Sequence, residues 1–426
     1  MTTIGANWAG TYEYGAERLL RPRSTEEVAA IVAGASRVRA LGTRHSFNDL
    51  ADSTGDLLSL VDLEAHPVID AAASTVTVAS GTRFAVLAAH LEAHGYALHN
   101  LGSLPHISIA GAVATGTHGS GVGNGNLSTA VAGLELVTGR GDVVHVSRAD
   151  PRFDGMVVAL GALGVVTRIT LDIQPTFRMR QDIYLDLPWD AVLSTFDEIV
   201  SAAYSVSLFT DWTGDALKQV WLKSRLPDAS SGVAALLLPD DFFGAHPAGD
   251  KVMSPAGDDI DNTTVQGGVP GPWSERLPHF RADVTPSNGD EIQTEYFVDR
   301  KDAVAAITAV RALADRIAPH LLVTELRTVA ADTLWLSPAY QRESLAIHFT
   351  WRNEPAEVHA LLPEIEAVLA PFDARPHWGK WFAMGADEIV PKYERAADFR
   401  ALAEAFDPQG RFRNDYLERV LALPLR

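Results

Sequence analysis

The stretch NLGSLPHISIAGAVATGTHGSGVGNGN, residues 100–126, decides how this chain is read. It holds seven glycines, its remaining residues are mostly Ser, Thr, Ala or Asn, and it contains no Asp, Glu, Lys or Arg. Side chains this small let backbone approach a ligand to hydrogen-bonding distance, and successive amides can nest anionic phosphates. A plain flexible loop is the competing reading. Ile107, Ile109 and Val113 interleave with the small residues, which favours backbone tucked against a core. No G-K-[ST] closes the stretch as a Walker loop, and no clean G-x-G-x-x-G sits between a strand and a helix. The expectation is therefore a pyrophosphate cradle outside the usual dinucleotide fold.

The flanking segments mix strands and helices. In RSTEEVAAIVAGA (23–35), Ser24 and Glu27 are spaced as a capping box, with Val28, Ile31, Val32 and Ala35 on one helical face. VRAL (38–41) and STVTVAS (74–80) read as strands. Phe84, Leu87, Ala88 and Leu91 mark an amphipathic helix ending before Gly95. GLELVTGRGDVVHVS (133–147) predicts a hairpin turning on Gly139 to Gly141, and GVVTRITLDI (164–173) a further strand.

Beyond about residue 175 the composition changes. AYSVSLFTDW (203–212) and QVWLKSR (219–225) read as neighbouring strands, while residues 226–275 carry little periodicity and read as a long surface excursion. Regular structure returns as strand EIQTEYFV (291–298), helix KDAVAAITAVRALADRIA (301–318), strands LLVTELRTV (321–329) and SLAIHFTW (344–351), and helix EPAEVHALLPEIEAVLAPF (354–372). That order predicts a sheet covered on one face by helices. AADFRALAEAFDPQGRFRNDYLERVL (396–421) reads as a helix, a tight turn and a short tail. The fold class is α+β, and 426 residues are too many for one core, so two domains are expected.

A formal charge of −19 repels phosphate backbones and acidic membranes, so nucleic acid and anionic lipid are excluded as partners and a neutral substrate is favoured. No apolar run is long enough to span a bilayer, and MTTIGANWAG does not read as a secretory signal; a cytoplasmic location is expected. Cysteine is absent, which removes disulfides, thiolate zinc sites, iron–sulfur clusters and thiol nucleophiles. No H-E-x-x-H or carboxylate-rich cluster supports a metal site, so a histidine-only metal hydrolase ranks last.

Two features could carry chemistry. In RALGTRHSFND (39–49), small polar residues crowd His45 just after a strand ends. A solvated loop residue, a metal ligand and an attachment point for something large all remain open. In LLVTELRTV, Glu325 and Arg327 share one face of a strand, and His348 and Thr350 do likewise in LAIHFTW. Leu322, Leu326, Ile347 and Phe349 take the opposite parity and are expected to pack under helices. Such polar faces suit a molecule made of hydroxyl groups, or are merely solvated edges. RPHWGK (375–380) alone passes for an amphipathic loop.

Taken together, HSFND, SLPHISIAGAVATGTHGSGVGNGN, GALGVVT, VSLFTDW, GVPGPWSERLPHFRAD, RTVAADTLWLSPAY and RPHWGK resemble the alditol (xylitol/sorbitol) oxidases. These belong to the vanillyl-alcohol-oxidase type of FAD-linked oxidoreductase, in a branch shared with sugar-lactone oxidases. The likeness covers essentially the whole chain. It implies a PCMH-type FAD-binding domain over residues 1–178, a sheet-and-helix substrate domain over 179–376, and a segment 377–426 returning to the FAD domain. It further implies FAD joined covalently through its 8α-methyl group to the histidine matching His45. Leu41, Gly42, Thr43, Arg44, Ser46, Phe47, Gly102, Ser103, Ser108, Gly111, Thr115, Gly116, Thr117, His118, Val166 and His377 match cofactor-binding positions. Ser103, Glu325, Arg327, Thr350 and Lys380 match the substrate site, with Arg327, Lys380, Glu325 and His348 in catalytic roles.

Two further implications follow from the resemblance. Relatives commonly carry glycine immediately before the linked histidine, where this chain has Arg44, which is expected to point to solvent. The residue before the serine of GSLPH is associated with oxygen access, and Gly102 implies an oxidase that makes hydrogen peroxide. The expected partners are a polyol and O2, with the chain acting as a monomer. An aldonolactone oxidase or dehydrogenase on the same scaffold is the alternative among enzymes, and a non-catalytic flavin- or carbohydrate-binding protein the alternative outside them.

Overall fold

Alternation along TELRTV (324–329) sets the central layer of the molecule: Glu325 and Arg327 turn to one face, Thr324 and Leu326 to the other. The computed structural model describes residues 4–63, 66–227, 239–256, 260–284 and 290–425. The Leu321–Val329 strand lies at the middle of a nine-stranded sheet, antiparallel to Ser205–Thr210 on one side and Ser344–Arg352 on the other. Glu291–Asp299 and the short Arg375–Pro376 strand continue the sheet beyond Ser344–Arg352, while Ala216–Arg225 and Arg178–Pro188 continue it beyond Ser205–Thr210. On the even face of the Leu321 strand, Trp212 Nε1–H donates to Thr324 Oγ1 at 2.8 Å, which satisfies a hydroxyl that burial would otherwise strand. Ala303–Arg311 and the Pro355–Leu369 helix bury Ala306, Ile307, Val310, Leu361, Leu362 and Ile365 in the same core as Leu326, Ile347 and Phe349.

The glycine-rich side is built differently. Val68–Asp70, Thr75–Ala79, Val165–Asp172, Val131–Val137 and Val143–Ser147 form a five-stranded antiparallel sheet. A smaller sheet holds Arg18–Leu20 and Val38–Leu41 on either side of Asp56–Ser59, both pairings parallel. The fold is thus α+β. No helix among the described residues is long and apolar enough to cross a membrane.

The chain's last segment packs against residues near its start. Arg39 reaches the Phe412 carbonyl, Val38 N–H donates to Arg411 O, and the Asn414 amide donates to the carbonyls of Asp49, Leu50 and Asp52. Gly139 closes the same seam: a Cβ there would sit 3.0 Å from the Asp407 Cα, so the hairpin tip has to be glycine.

Six expectations need correction. The glycine-rich stretch is not all loop: Ile109–Thr115 form a helix ended by left-handed Gly116, because Ile109, Ala112 and Val113 supply a buried stripe. Glu27 caps the Arg23 N–H rather than that of Ser24, so only half of the capping box forms. The 301–318 helix breaks after Arg311 into a separate turn of Ala314–Ile317. Leu322 is 37% exposed, since a bulge between Leu321 and Val323 shifts the alternation there. The supposed surface excursion buries Phe242, Ala245, Thr264 and Trp273, although parts of it lie outside the described residues. The expected tail contains a second helix, Asp415–Leu421, capped by Asn414.

Candidate active site

Register across three strands assembles the site. Glu325 pairs with His348, and His348 pairs with Glu295 on the next strand, so two carboxylates flank an imidazole in one row. One step along the sheet, Arg327 bonds Glu295 Oε1 at 2.7 Å. Lys380, from the loop after Arg375–Pro376, bonds Glu295 Oε2 at the same distance. Thr350 is buried two residues beyond His348. Ser103 lies at 3.5 Å from the Arg327 guanidinium, and its carbonyl accepts from the His279 and Phe280 N–H groups.

These charges are deeply buried: Glu295, Glu325 and Arg327 are 1%, 4% and 5% exposed. Burial alone would raise both carboxylates, but Lys380 and Arg327 hold Glu295 well below the usual range, and Arg327 with His279 does the same for Glu325. Burial lowers Lys380, against the pull of Glu295. His348 is pushed down to about 4 by burial and by Lys380, so its ring is neutral, and its Nε2 is buried without a hydrogen-bond partner. His348 Nδ1 stands 3.8 Å from Glu325 Oε2, longer than an ordinary hydrogen bond but near enough for the carboxylate to favour the protonated ring against burial. The result is a neutral imidazole with its Nε2 free of partners, its Nδ1 turned toward Glu325, beside two fixed cations.

The carboxylate that neutralises both cations in this cluster is Glu295 rather than Glu325. Glu295 bonds both cations, whereas Glu325 stands 3.6 Å from Arg327 Nε and is bonded by His279 at 2.8 Å. Neither Glu295 nor His279 was singled out from sequence. The available signal was Glu295 inside the apolar run TEYFV of a predicted strand, where an acid is rarely tolerated unless paired.

The loop carrying His45 meets the glycine-rich stretch and the RPHWGK loop together. Ser108 N–H donates to Thr43 Oγ1 at 3.1 Å, and Phe47 N–H to the Gly379 carbonyl at 2.8 Å. Leu41 ends the strand that delivers this loop and is buried, as are Phe47, Gly102 and Ser108. Thr115 and Thr117 bond each other at 3.1 Å where the short helix ends, and Ser46 lines up against Gly379. His118 donates from Nδ1 to the Gly119 carbonyl and sets Nε2 3.2 Å from Glu295, which ties the glycine-rich stretch to the polar row. His377 is buried and its Nδ1 accepts from the Gly379 N–H. Val166 stands one step back, on a strand whose Thr167 carbonyl takes the Ser80 N–H, the Ser80 carbonyl in turn taking that of Ala110.

Arg44 points neither to solvent nor into the site. It is half-buried, its guanidinium donates to the Ile4 and Ala6 carbonyls, and it sits over the Tyr14 ring. Its φ of 65° is left-handed, a conformation that favours glycine, and the hydrogen bonds to the N-terminal segment offset that strain.

The fit to a flavin nucleotide rests on two observations. Gly42 and Gly111 are exposed side by side, and a Cβ on either would meet Ser108 Oγ at 2.6 or 3.1 Å, so backbone lies open where bulk is not tolerated. His45 stacks on Trp8 at a centroid distance of 5.2 Å, and burial pushes its pKa down to about 4. Its Nδ1 is buried with no partner at hydrogen-bond geometry, although the Thr43 backbone lies near enough to favour the protonated ring slightly.

Comparison with known proteins bears on both halves. Residues 16–147 match a family described as FAD binding domain, and residues 287–420 one described as D-arabinono-1,4-lactone oxidase. The chain is 46% identical to an alditol oxidase of a Streptomyces species, covering 99% of this chain and all of that one. Identity to the L-gulono-1,4-lactone dehydrogenase of Mycobacterium tuberculosis is 29% over similar coverage. Among solved structures, cholesterol oxidase from B. sterolicum superposes with a TM-score of 0.78 at 15% identity, covering 99% of this chain and 96% of that one. The fold is that of an FAD-linked oxidase, and the chain belongs to the alditol oxidase family of the vanillyl-alcohol-oxidase type.

Proposed function

We propose that the chain oxidises the terminal primary hydroxyl of an alditol, such as xylitol, sorbitol or glycerol, to the aldehyde, with O2 reduced to hydrogen peroxide. The observation that carries this reading is the in-register row Glu295, His348 and Glu325 with Arg327 and Lys380 beside it. When bound, FAD supplies the hydride acceptor and the route of electrons to oxygen. Ser103, Glu325 and Thr350 hold the substrate's hydroxyl groups. Arg327 and Lys380 place positive charge beside the reacting oxygen, favouring its alkoxide as hydride leaves the carbon. His348, neutral and unpartnered at Nε2, is in the state needed to take the hydroxyl proton.

His45 is the proposed covalent anchor. Attack on the flavin methyl needs a neutral imidazole, and the low proton affinity of the buried ring supports that state at neutral pH. For the domain division, sheet continuity from Arg178 to Pro376 supports a boundary just before Arg178, one residue ahead of 178/179, and another at 376/377, while the bonds of Phe412 and Asn414 to residues 39–52 support placing the C-terminal segment on the FAD side.

The test is a substrate panel. Supplied with xylitol, sorbitol, glycerol and L-gulono-1,4-lactone in air, the purified protein is expected to make peroxide from the polyols and little from the lactone. The reverse order would assign it to the lactone enzymes. The higher identity to the alditol oxidase favours the first outcome.

Gly102 gives a second expectation. A Cβ at this position would meet only His118 O at 3.7 Å and Thr117 Cγ2 at 3.8 Å, ordinary contacts. Gly102→Ala should therefore fold normally. It is expected to slow reoxidation by O2 by about tenfold or more while polyol reduction of the flavin stays near the original rate, roughly 1.4 kcal/mol placed on one half-reaction alone. Equal slowing of both half-reactions, measured by stopped flow, would remove Gly102 from the oxygen path.

A further inference from the structure

One buried cation near the site contacts neither Glu295 nor the loop of Lys380. Lys223 stands on the Ala216–Arg225 strand opposite Ser205, 1% exposed. Its ammonium has three protons and three acceptors: Leu277 O at 2.5 Å, Pro278 O at 3.1 Å and His279 Nδ1 at 2.9 Å. An ammonium has no lone pair, so His279 Nδ1 has to be the acceptor, and a neutral ring that accepts there carries its proton on Nε2. That Nε2 faces Glu325 Oε1 at 2.8 Å. Burial and the adjacent Lys223 charge keep the ring neutral, pushed down to about 4. The rings of Phe209 and Trp221 meet it edge to face and fix its plane.

We propose that Lys223 and His279 are positioning residues for substrate oxidation: charged Lys223 locks His279 as the Nε2–H tautomer, and that proton holds Glu325 ionised with its second oxygen turned toward Arg327 and His348. The proposal rests on the reading that Glu325 touches the polyol. It makes the lysine's proton part of the site without contact to the substrate. A neutral amine at 223 would gain a lone pair and release Nδ1 to carry the ring proton. Nε2 would then set a lone pair against a carboxylate oxygen, and the bond that orients Glu325 would be lost.

Burial pushes Lys223 down to about 7, with Glu325 opposing and Arg327 adding to the shift. The titratable and charged groups facing it are His279, Glu325 and Arg327. The oriented state belongs to the protonated lysine, so the rate of substrate oxidation should fall as pH rises through that range.

The experiment is anaerobic stopped-flow reduction of the holoenzyme by xylitol across neutral pH. Lys223→Met is expected to slow reduction about 10- to 100-fold, the worth of one hydrogen bond to a charged group, with flavin content unchanged. His279→Gln keeps a donor toward Glu325 through its amide whatever the state of Lys223. It should lose the alkaline fall, and the double variant should reduce faster than Lys223→Met alone. A wild-type rate in Lys223→Met, or an unchanged alkaline fall in His279→Gln, would overturn the proposal; the latter decides the matter even if Lys223→Met does not fold. Glu325→Gln is the control: a wild-type rate there sinks the site reading itself, whereas a slow Glu325→Gln beside a fast Lys223→Met sinks only this inference.

Discussion

Alanine at Arg327 or at Lys380 is expected to lower the rate of flavin reduction by a polyol about 10²–10³-fold, the usual effect of removing one fixed charge or donor from a developing oxyanion. Flavin content should stay near that of the unchanged protein, because neither side chain belongs to the loop that holds His45. Each substitution also leaves Glu295 with one cation instead of two, and unpairing a buried charge commonly costs about 3–5 kcal/mol of stability. A stability loss could therefore masquerade as a catalytic one. Thermal melting of each variant separates the two: a rate lost at a temperature where the variant is still fully folded is a loss of chemistry, whereas a rate that follows the melting curve is a loss of stability. Intact turnover in both single variants would take Arg327 and Lys380 out of the chemistry.

Substituting His45 by alanine is expected to abolish covalent flavin outright. Acid-precipitated wild-type protein should keep its yellow colour in the pellet; the His45→Ala pellet should be white and its supernatant yellow. Noncovalent binding should persist, because Gly42, Thr43, Ser108 and Gly111 keep their arrangement without the imidazole. The remaining flavin should also oxidise polyols more slowly, since a histidyl link typically makes the ring a stronger oxidant. A yellow pellet from His45→Ala would place the attachment elsewhere, and a white pellet from the wild type would mean there is none.

The shared faces of the polar cluster were legible because strand parity is local. Glu325 and Arg327, two apart in a nine-residue strand, had to share a face, as had His348 and Thr350. Parity failed at Leu322, where a bulge inserts a residue that no alternation rule anticipates. It also missed Glu295 and His279. Glu295 matters through its register with His348, and His279 through a loop that folds back over the strand carrying Lys223. Arg44 is similar: its left-handed backbone is tolerable only because Ile4 and Ala6, some forty residues earlier, present carbonyls to it.

By itself the sequence determined which residues were small enough to cradle a cofactor, which strands had one polar face, and the α+β class. Those are properties of short spans, set by side-chain size and by the two-residue period of extended chain. Tertiary structure alone decided that Glu295 pairs with Arg327 and Lys380, and that His279 rather than a cation bonds Glu325. The reason is physical: a buried charge is stable only beside its counter-charge, and which partner reaches it depends on strand register and loop path between residues far apart in the chain.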